Sequence, residues 1–349
     1  MTGFGALASG GLAWCEGGAV VDLSALGDVF AQATLNELLA AGPGGWEEAI
    51  AAARSHDGPR VPASEARARL PFEVADYVDF YSSLEHATNL GRMFRPDQEP
   101  LLPNWRWLPV AYHGRAGSVV VSGTDVVRPR GQQKAPDERA PTFGPSRRLD
   151  FELELGFVVG VPTQLGEQVP VEAFADHVFG VVLVNDWSAR DIQAWEYVPL
   201  GPNLGKSFQT SISAWVTPLA LLEGACVEAP PQEPPPLPHL AGGRDWGLDL
   251  ALEVELNGET VSRGNARTLY WTLPQQLAHA TSNGAPLRTG DLMASGTISG
   301  SEPGSEGSMI ELFRGERFLE DGDEVILHGR AGNGLELGEV RGRVLPARG

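Results

Sequence analysis

Two carboxylates two residues apart, in a run that is otherwise apolar, constrain this 349-residue chain more than any other feature. The run is LDFELELGFVVG, residues 149–160. Side chains two apart on a strand share a face. Glu152 and Glu154 therefore point one way, and Phe151, Leu153 and Leu155 point the other, toward a core. Adjacent carboxylates repel, and a low-dielectric site is costly for both unless a cation compensates. A second apolar run, Val178 to Val184, ends in Asp186 and opens into a charged turn, DWSARD. Spacing alone favours a solvated strand face for Glu152 and Glu154; Glu253 and Glu255 have the same spacing and read as solvated. The charged turn at Asp186 is what separates the first pair from the second.

Composition narrows the field. The net charge of -19 argues against sequence-independent nucleic-acid binding, which needs clustered Lys and Arg. The 43 glycines and 27 prolines predict a turn-rich, mainly β (α+β) fold rather than a helical bundle. Cys15 and Cys226 form no ligand cluster and read as incidental reduced thiols of a cytoplasmic protein. No basic leader precedes an apolar segment, and no apolar run is long enough to span a bilayer, so no membrane role is expected.

Along the chain, residues 1–70 read as a small docking or oligomerisation module without a reactive constellation. Short strands are expected near Leu12 and Val20, a helix from Asp28 to Leu39 with Asp28 as N-cap, and another from Trp46 to Arg54, with Pro43-Gly-Gly between them. Arg60 to Phe72 reads as a linker, Pro129 to Pro145 as a loop, and Pro230 to Pro238 as a rigid surface crossover. A helical run is expected from His86 to Met93 and another from Tyr270 to Thr281. Leu248 to Leu256 alternates into an Asn257-Gly258 hairpin turn, and strands are expected at Met309–Phe313 and Asp323–His328.

The chemistry-bearing residues fall into three groups. Asp79, Glu152, Glu154 and Asp186 are all oxygen donors, which suits Mg²⁺ or Ca²⁺ rather than Zn²⁺. His86 could take a proton from water near such an ion, oriented by an acid that the sequence does not single out. Arg190 and Gln193 share a helical face and, with Lys206 in a Gly/Pro-rich loop, could donate to a developing oxyanion. Gly205-Lys206-Ser207 is not a P-loop, because the required first glycine is Leu200. No GxSxG, HExxH or GxGxxG signature is present.

The strings DFYSSLEHATNLGRMFR, LPNWRWLPVAYHGRAGSVVVSG, LDFELELGFVVG, VNDWSARDIQAWEYVPLGPNLGKSF and GDLMASGTISG closely resemble the fumarylacetoacetase family, in order from about residue 73 to 345. The resemblance implies a small SH3-like N-terminal barrel (1–70) before a larger mixed β-roll (71–349), assembled as a homodimer. It implies metal-dependent hydrolysis of 4-fumarylacetoacetate to fumarate and acetoacetate, the last step of tyrosine and phenylalanine catabolism. By position it makes Asp79, Glu152, Glu154 and Asp186 the metal ligands and His86 the base, with Glu311 as its partner. Arg190, Gln193 and Lys206 become the oxyanion and carbanion stabilisers. Tyr81, Arg95, Tyr112, Tyr197 and Thr297 become substrate contacts. Glu311, Tyr197 and Thr297 enter through the resemblance alone. An acylpyruvase with a different acyl arm, a non-catalytic Ca²⁺-binding protein and a scaffold using Pro230–Pro238 are the competing readings.

Overall fold

The computed structural model describes residues 1–135 and 137–349. The chain is mainly β, with several curled sheets. An eight-stranded mixed sheet is the frame of the molecule. Its order is Ala111–His113, Tyr77–Phe80, Leu292–Ala294, Leu153–Val159, Val178–Asp186, Thr210–Ile212 and Val119–Val121, with Thr217–Pro218 pairing beside Val178–Asp186. Leu153–Val159 and Val178–Asp186 lie antiparallel at its centre and are buried on both faces, as their unbroken apolar content requires. Leu155, Phe157, Val181 and Leu183 enter a core shared with the five-stranded sheet built on Leu250–Leu256 and Glu324–Ala331. Val158, Val182 and Val184 enter a second core, on the other face.

Residues 3–69 contribute a five-stranded antiparallel sheet in the order Arg60–Pro62, Ala19–Asp22, Leu12–Glu16, Gly3–Leu7, Ala68–Arg69. The segment expected as a linker thus supplies two of its strands. The helix expected from Asp28 forms only over Asn36–Ala40, and Asp28 lies in turns outside it. Pro43-Gly-Gly does not break the following helix. It forms the first turn of Gly42–Ser55, where proline's missing N–H costs nothing. The expected loop over 129–145 contains a hairpin, Arg130–Gln133 with Thr142–Pro145; Pro136 lies outside the described residues.

The largest correction concerns Met309–Phe313. It is a helical turn, Met309–Leu312, not a strand. The Asp150 carboxylate accepts from Met309 N at 2.8 Å and Ile310 N at 3.2 Å, satisfying the first free amides of that turn. Three local expectations are met, although the helix expected from Tyr270 begins only at Leu273. The Asn257-Gly258 turn joins Leu250–Leu256 to Glu259–Asn265, and helices form over Leu84–Phe94 and Leu273–Thr281. Among the described residues no helix is long and apolar enough to cross a membrane.

Candidate active site

The strand register places the acids. Asp79 is paired with Ala294 on one side and Tyr112 on the other. Glu154 lies opposite Val184 on the neighbouring strand, and Asp186 ends that strand opposite Thr210. Oxygens of Asp79, Glu154 and Asp186 converge within 4.8 Å of one another. All three residues are buried. Asp79 Oδ1 and Glu154 Oε1 have no hydrogen-bond partner among the described residues. Burial, and then the neighbouring Asp186, pushes the Asp79 carboxyl well above the usual carboxylate range. Burial followed by Asp79 and Asp186 does the same to Glu154. Glu154 Oε2 accepts from Gly296 N at 3.2 Å. Gly296 has φ +78°, and a Cβ there would lie 2.1 Å from Phe80 O, so only glycine brings the amide so close.

Glu152 is buried beside this group, but its oxygens are turned to cations. Arg190 Nη2 donates to Oε1 at 2.7 Å, and Lys206 Nζ donates to Oε2. Burial alone would raise its pKa; the Arg190 and Lys206 charges outweigh that and hold it well below the usual range. Lys206 also donates to Asp186 Oδ2 at 2.6 Å. Burial would discharge the lysine, but Asp186 and Glu152 raise its pKa and keep it charged. Arg190 Nε donates to Asp150 Oδ2 at 2.8 Å and Nη1 to Gln193 Oε1 at 3.3 Å, the expected helical pair. Five buried acids (Asp79, Asp150, Glu152, Glu154, Asp186) thus face two buried cations (Arg190, Lys206). Such an imbalance needs either protons on some carboxyls or a further cation.

His86 sits at the third position of its helix because Ser83 caps it, Ser83 Oγ accepting from His86 N at 3.3 Å. Its Nδ1 lies 2.6 Å from Glu311 Oε2, and its Nε2 lies 3.9 Å from Glu152 Oε1. Glu311 also accepts from Asn89 at 3.0 Å, Ser299 at 2.9 Å and Ser308 at 2.6 Å. Burial opposes its charge, but His86 and these donors lower its pKa to about 2.

A cavity of roughly 690 Å³ opens onto both groups. Asp79, Glu152, Glu154, His86, Arg190, Gln193 and Lys206 all line it. So do Tyr81, Arg95, Tyr112, Tyr197 and Thr297, which brings every expected substrate contact to one space. Arg95 donates to Pro100 O at 2.8 Å, and its buried Nε has no partner among the described residues. Tyr112 donates to Asp186 Oδ2 at 2.6 Å and Asp79 Oδ2 at 3.1 Å, so it bridges the acids as well as lining the cavity.

Residues 76–345 match the fumarylacetoacetate (FAA) hydrolase C-terminal family. The chain belongs to the fumarylacetoacetate hydrolase family. It is 50% identical over 361 aligned positions to the fumarylacetoacetase of Caenorhabditis elegans, covering 93% of this chain and 86% of that protein. It is 47% identical over 356 positions to the human fumarylacetoacetase, covering 92% and 85%. Among solved structures, a fumarylacetoacetate hydrolase from Exiguobacterium antarcticum aligns over 99% of both chains, with a TM-score of 0.63 and 18% identity. A maleylpyruvate hydrolase from Sphingobium sp. SYK-6, solved with manganese(II) and pyruvate, aligns over 99% of this chain and 100% of its own, with a TM-score of 0.60 and 18% identity. At that identity the shared property is the fold. The candidate site of this fumarylacetoacetate hydrolase family member also contains residues that the sequence alone did not single out. Asp150 holds Arg190, and it continues the two-residue spacing of Glu152 and Glu154, a signal that was available. Ser299, Ser308 and Asn89, which surround Glu311, carried no such signal.

Proposed function

We propose that this member of the fumarylacetoacetate hydrolase family cleaves the carbon–carbon bond of 4-fumarylacetoacetate to fumarate and acetoacetate, the last step of tyrosine and phenylalanine breakdown. One observation carries the chemistry: His86 is bound at Nδ1 by Glu311, and it lines the same cavity as the converging acids. The orphaned Asp79 Oδ1 and Glu154 Oε1 suit a hard cation, and an all-oxygen donor set favours Mg²⁺ or Ca²⁺. Asp79, Glu154 and Asp186 would hold it, with Glu152 as the fourth ligand in this reading. The manganese of the Sphingobium hydrolase fits the same donor preference. When bound, a divalent ion polarises the carbonyl oxygens of a β-diketone.

His86 takes a proton from water at Nε2, while Glu311 holds the Nδ1–H and stabilises the imidazolium. The water oxygen bonds to the fumaryl carbonyl carbon, and Arg190, Gln193 and Lys206 donate to the oxyanion that forms. The carbon–carbon bond then breaks, its electron pair leaving on the acetoacetate carbon. That carbon takes the proton back from His86. Arg95 pairs with a substrate carboxylate, and Tyr81, Tyr112, Tyr197 and Thr297 orient the chain of the substrate. Changing His86→Ala should lower kcat by about 10²–10⁴-fold while ion affinity stays within about twofold. Near-normal kcat would remove His86 as the base. Comparing kcat/KM on fumarylacetoacetate and on acylpyruvates tests the substrate; a preference for acylpyruvates would replace this reading with the acylpyruvase one.

Residues 1–70 are read as a small SH3-like barrel, supported by their five-stranded antiparallel order, and 71–349 as the catalytic β-roll. A homodimer and a cytoplasmic location belong to the same reading; the free thiols of Cys15 and Cys226 support the latter.

A further inference from the structure

We propose that Tyr77 is a positioning residue for the divalent ion: its phenol occupies Asp79 Oδ2 and so leaves Oδ1 as the donor. The inference rests on the metal-dependent reading above. Tyr77 and Asp79 are two apart on one strand, and Asp79 is paired with Tyr112 on the next, so all three side chains share a face. Tyr77 is buried, and its hydroxyl donates to Asp79 Oδ2 at 2.9 Å. Tyr112 divides its hydroxyl between Asp79 and Asp186, whereas Tyr77 serves Asp79 alone. Both phenols sit on Oδ2, and Oδ1 is the Asp79 oxygen left without a partner among the described residues, in a carboxylate that contributes an oxygen to the acid cluster.

The fold reserves space for this ring. Gly114 N donates to Tyr77 O at 2.8 Å, and a Cβ on Gly114 would lie 2.0 Å from Tyr77 Cδ1. Tyr77 does not line the substrate cavity. It lines a smaller adjoining cavity of roughly 310 Å³, which shares Tyr112 and Lys206 with the substrate cavity and has Gly114 among its walls. Its influence on the reaction therefore passes through Asp79 and not through substrate. Partners that orient a metal ligand in this way are commonly worth about 10–100-fold in metal affinity.

The test is Tyr77→Phe in the full-length chain, which keeps the ring and removes only the hydroxyl. Mn²⁺ affinity is measured by titration calorimetry, and kcat and KM are measured at saturating Mn²⁺. The expected result is a Kd raised about 10–100-fold, with kcat and KM within about twofold of the unmodified protein once the ion saturates. Gly114→Ala keeps the hydroxyl but displaces the ring, and should weaken Mn²⁺ binding in the same direction. If the unmodified protein binds Mn²⁺ and Tyr77→Phe binds it within twofold, the positioning role is overturned, even where the ion-free variant melts at a lower temperature. A kcat that stays depressed at saturating Mn²⁺ also overturns it, because the effect would then not pass through ion binding. If the unmodified protein itself binds no divalent ion, the metal-dependent reading fails first, and this inference falls with it.

Discussion

Four glutamates with the same spacing have opposite fates. Glu253 and Glu255 are partly exposed and pair with Arg263 and His328 at 3.0 Å and 3.3 Å. Glu152 and Glu154 are 4% and 1% exposed, among acids and buried cations. What differs is the register of the neighbouring strands, which sets Asp186 and Asp79 beside one pair and solvent beside the other. Changing Glu154→Ala should weaken Mg²⁺ binding by tenfold or more, since it removes an orphaned donor oxygen; unchanged affinity by calorimetry would take Glu154 off the ligand set. Glu311 makes a different prediction. Its folded-state pKa, about 2, lies below the ordinary 4.5, so its charge stabilises the fold fully above pH 4.5, and that contribution is lost as pH falls toward 2. A Glu311→Gln variant should therefore lose less stability than the unmodified protein between pH 4.5 and 2, measured by denaturant titration at each pH. Parallel losses would mean that Glu311 carries no depressed pKa.

At the scale of elements, Arg190 holds the strand segment around Asp150 to the helix Arg190–Glu196, and Asp150 in turn holds the helical turn Met309–Leu312 that carries Glu311. Substituting Arg190→Met would leave Asp150 and Glu152 buried without their shared cation and should cost about 3–5 kcal/mol in urea unfolding. A loss below about 1 kcal/mol would contradict this linkage. The same arrangement explains what was legible in the sequence. The central strands and the Asn257-Gly258 hairpin were legible because alternation, apolar runs and turn chemistry are local signals. Met309–Leu312 was not, because the carboxylate that satisfies its first amides lies 159 residues away. The hairpin inside 129–145 and the edge strands inside 60–72 were hidden for a related reason. They are short, proline-flanked segments that become strands only by pairing with a neighbour. Residue type and spacing made the four acids, His86 and the Arg190–Gln193 pair candidates. Spacing alone favoured a solvated face for Glu152 and Glu154, and only Asp186, Asp79, His86 and the family resemblance together reversed that. The His86–Glu311 contact spans 225 residues and came through the resemblance alone.

Across the whole molecule, the N-terminal sheet and the central sheet share a core. Phe4, Trp14 and Trp46 pack in one apolar cluster with Val158, Phe179, Val182 and Leu292. Phe4 also exchanges backbone hydrogen bonds with Val216, at 3.0 Å and 2.8 Å. Residues 1–70 should therefore unfold together with the central sheet. Calorimetry should give one transition whose calorimetric and van't Hoff enthalpies agree, and two resolved transitions would contradict the shared core. That core keeps the strands bearing Asp79, Glu154 and Asp186 in register, and the acid cluster in turn is where the proposed chemistry begins. The decisive measurement is a spectrophotometric one. Fumarylacetoacetate is mixed with the protein, and loss of the conjugated diketone absorbance is followed with Mg²⁺ and again after EDTA. Decay that proceeds with Mg²⁺, stops with EDTA and returns when Mg²⁺ is restored is the predicted result. No decay with Mg²⁺, or decay indifferent to EDTA, would contradict a metal-dependent carbon–carbon hydrolase.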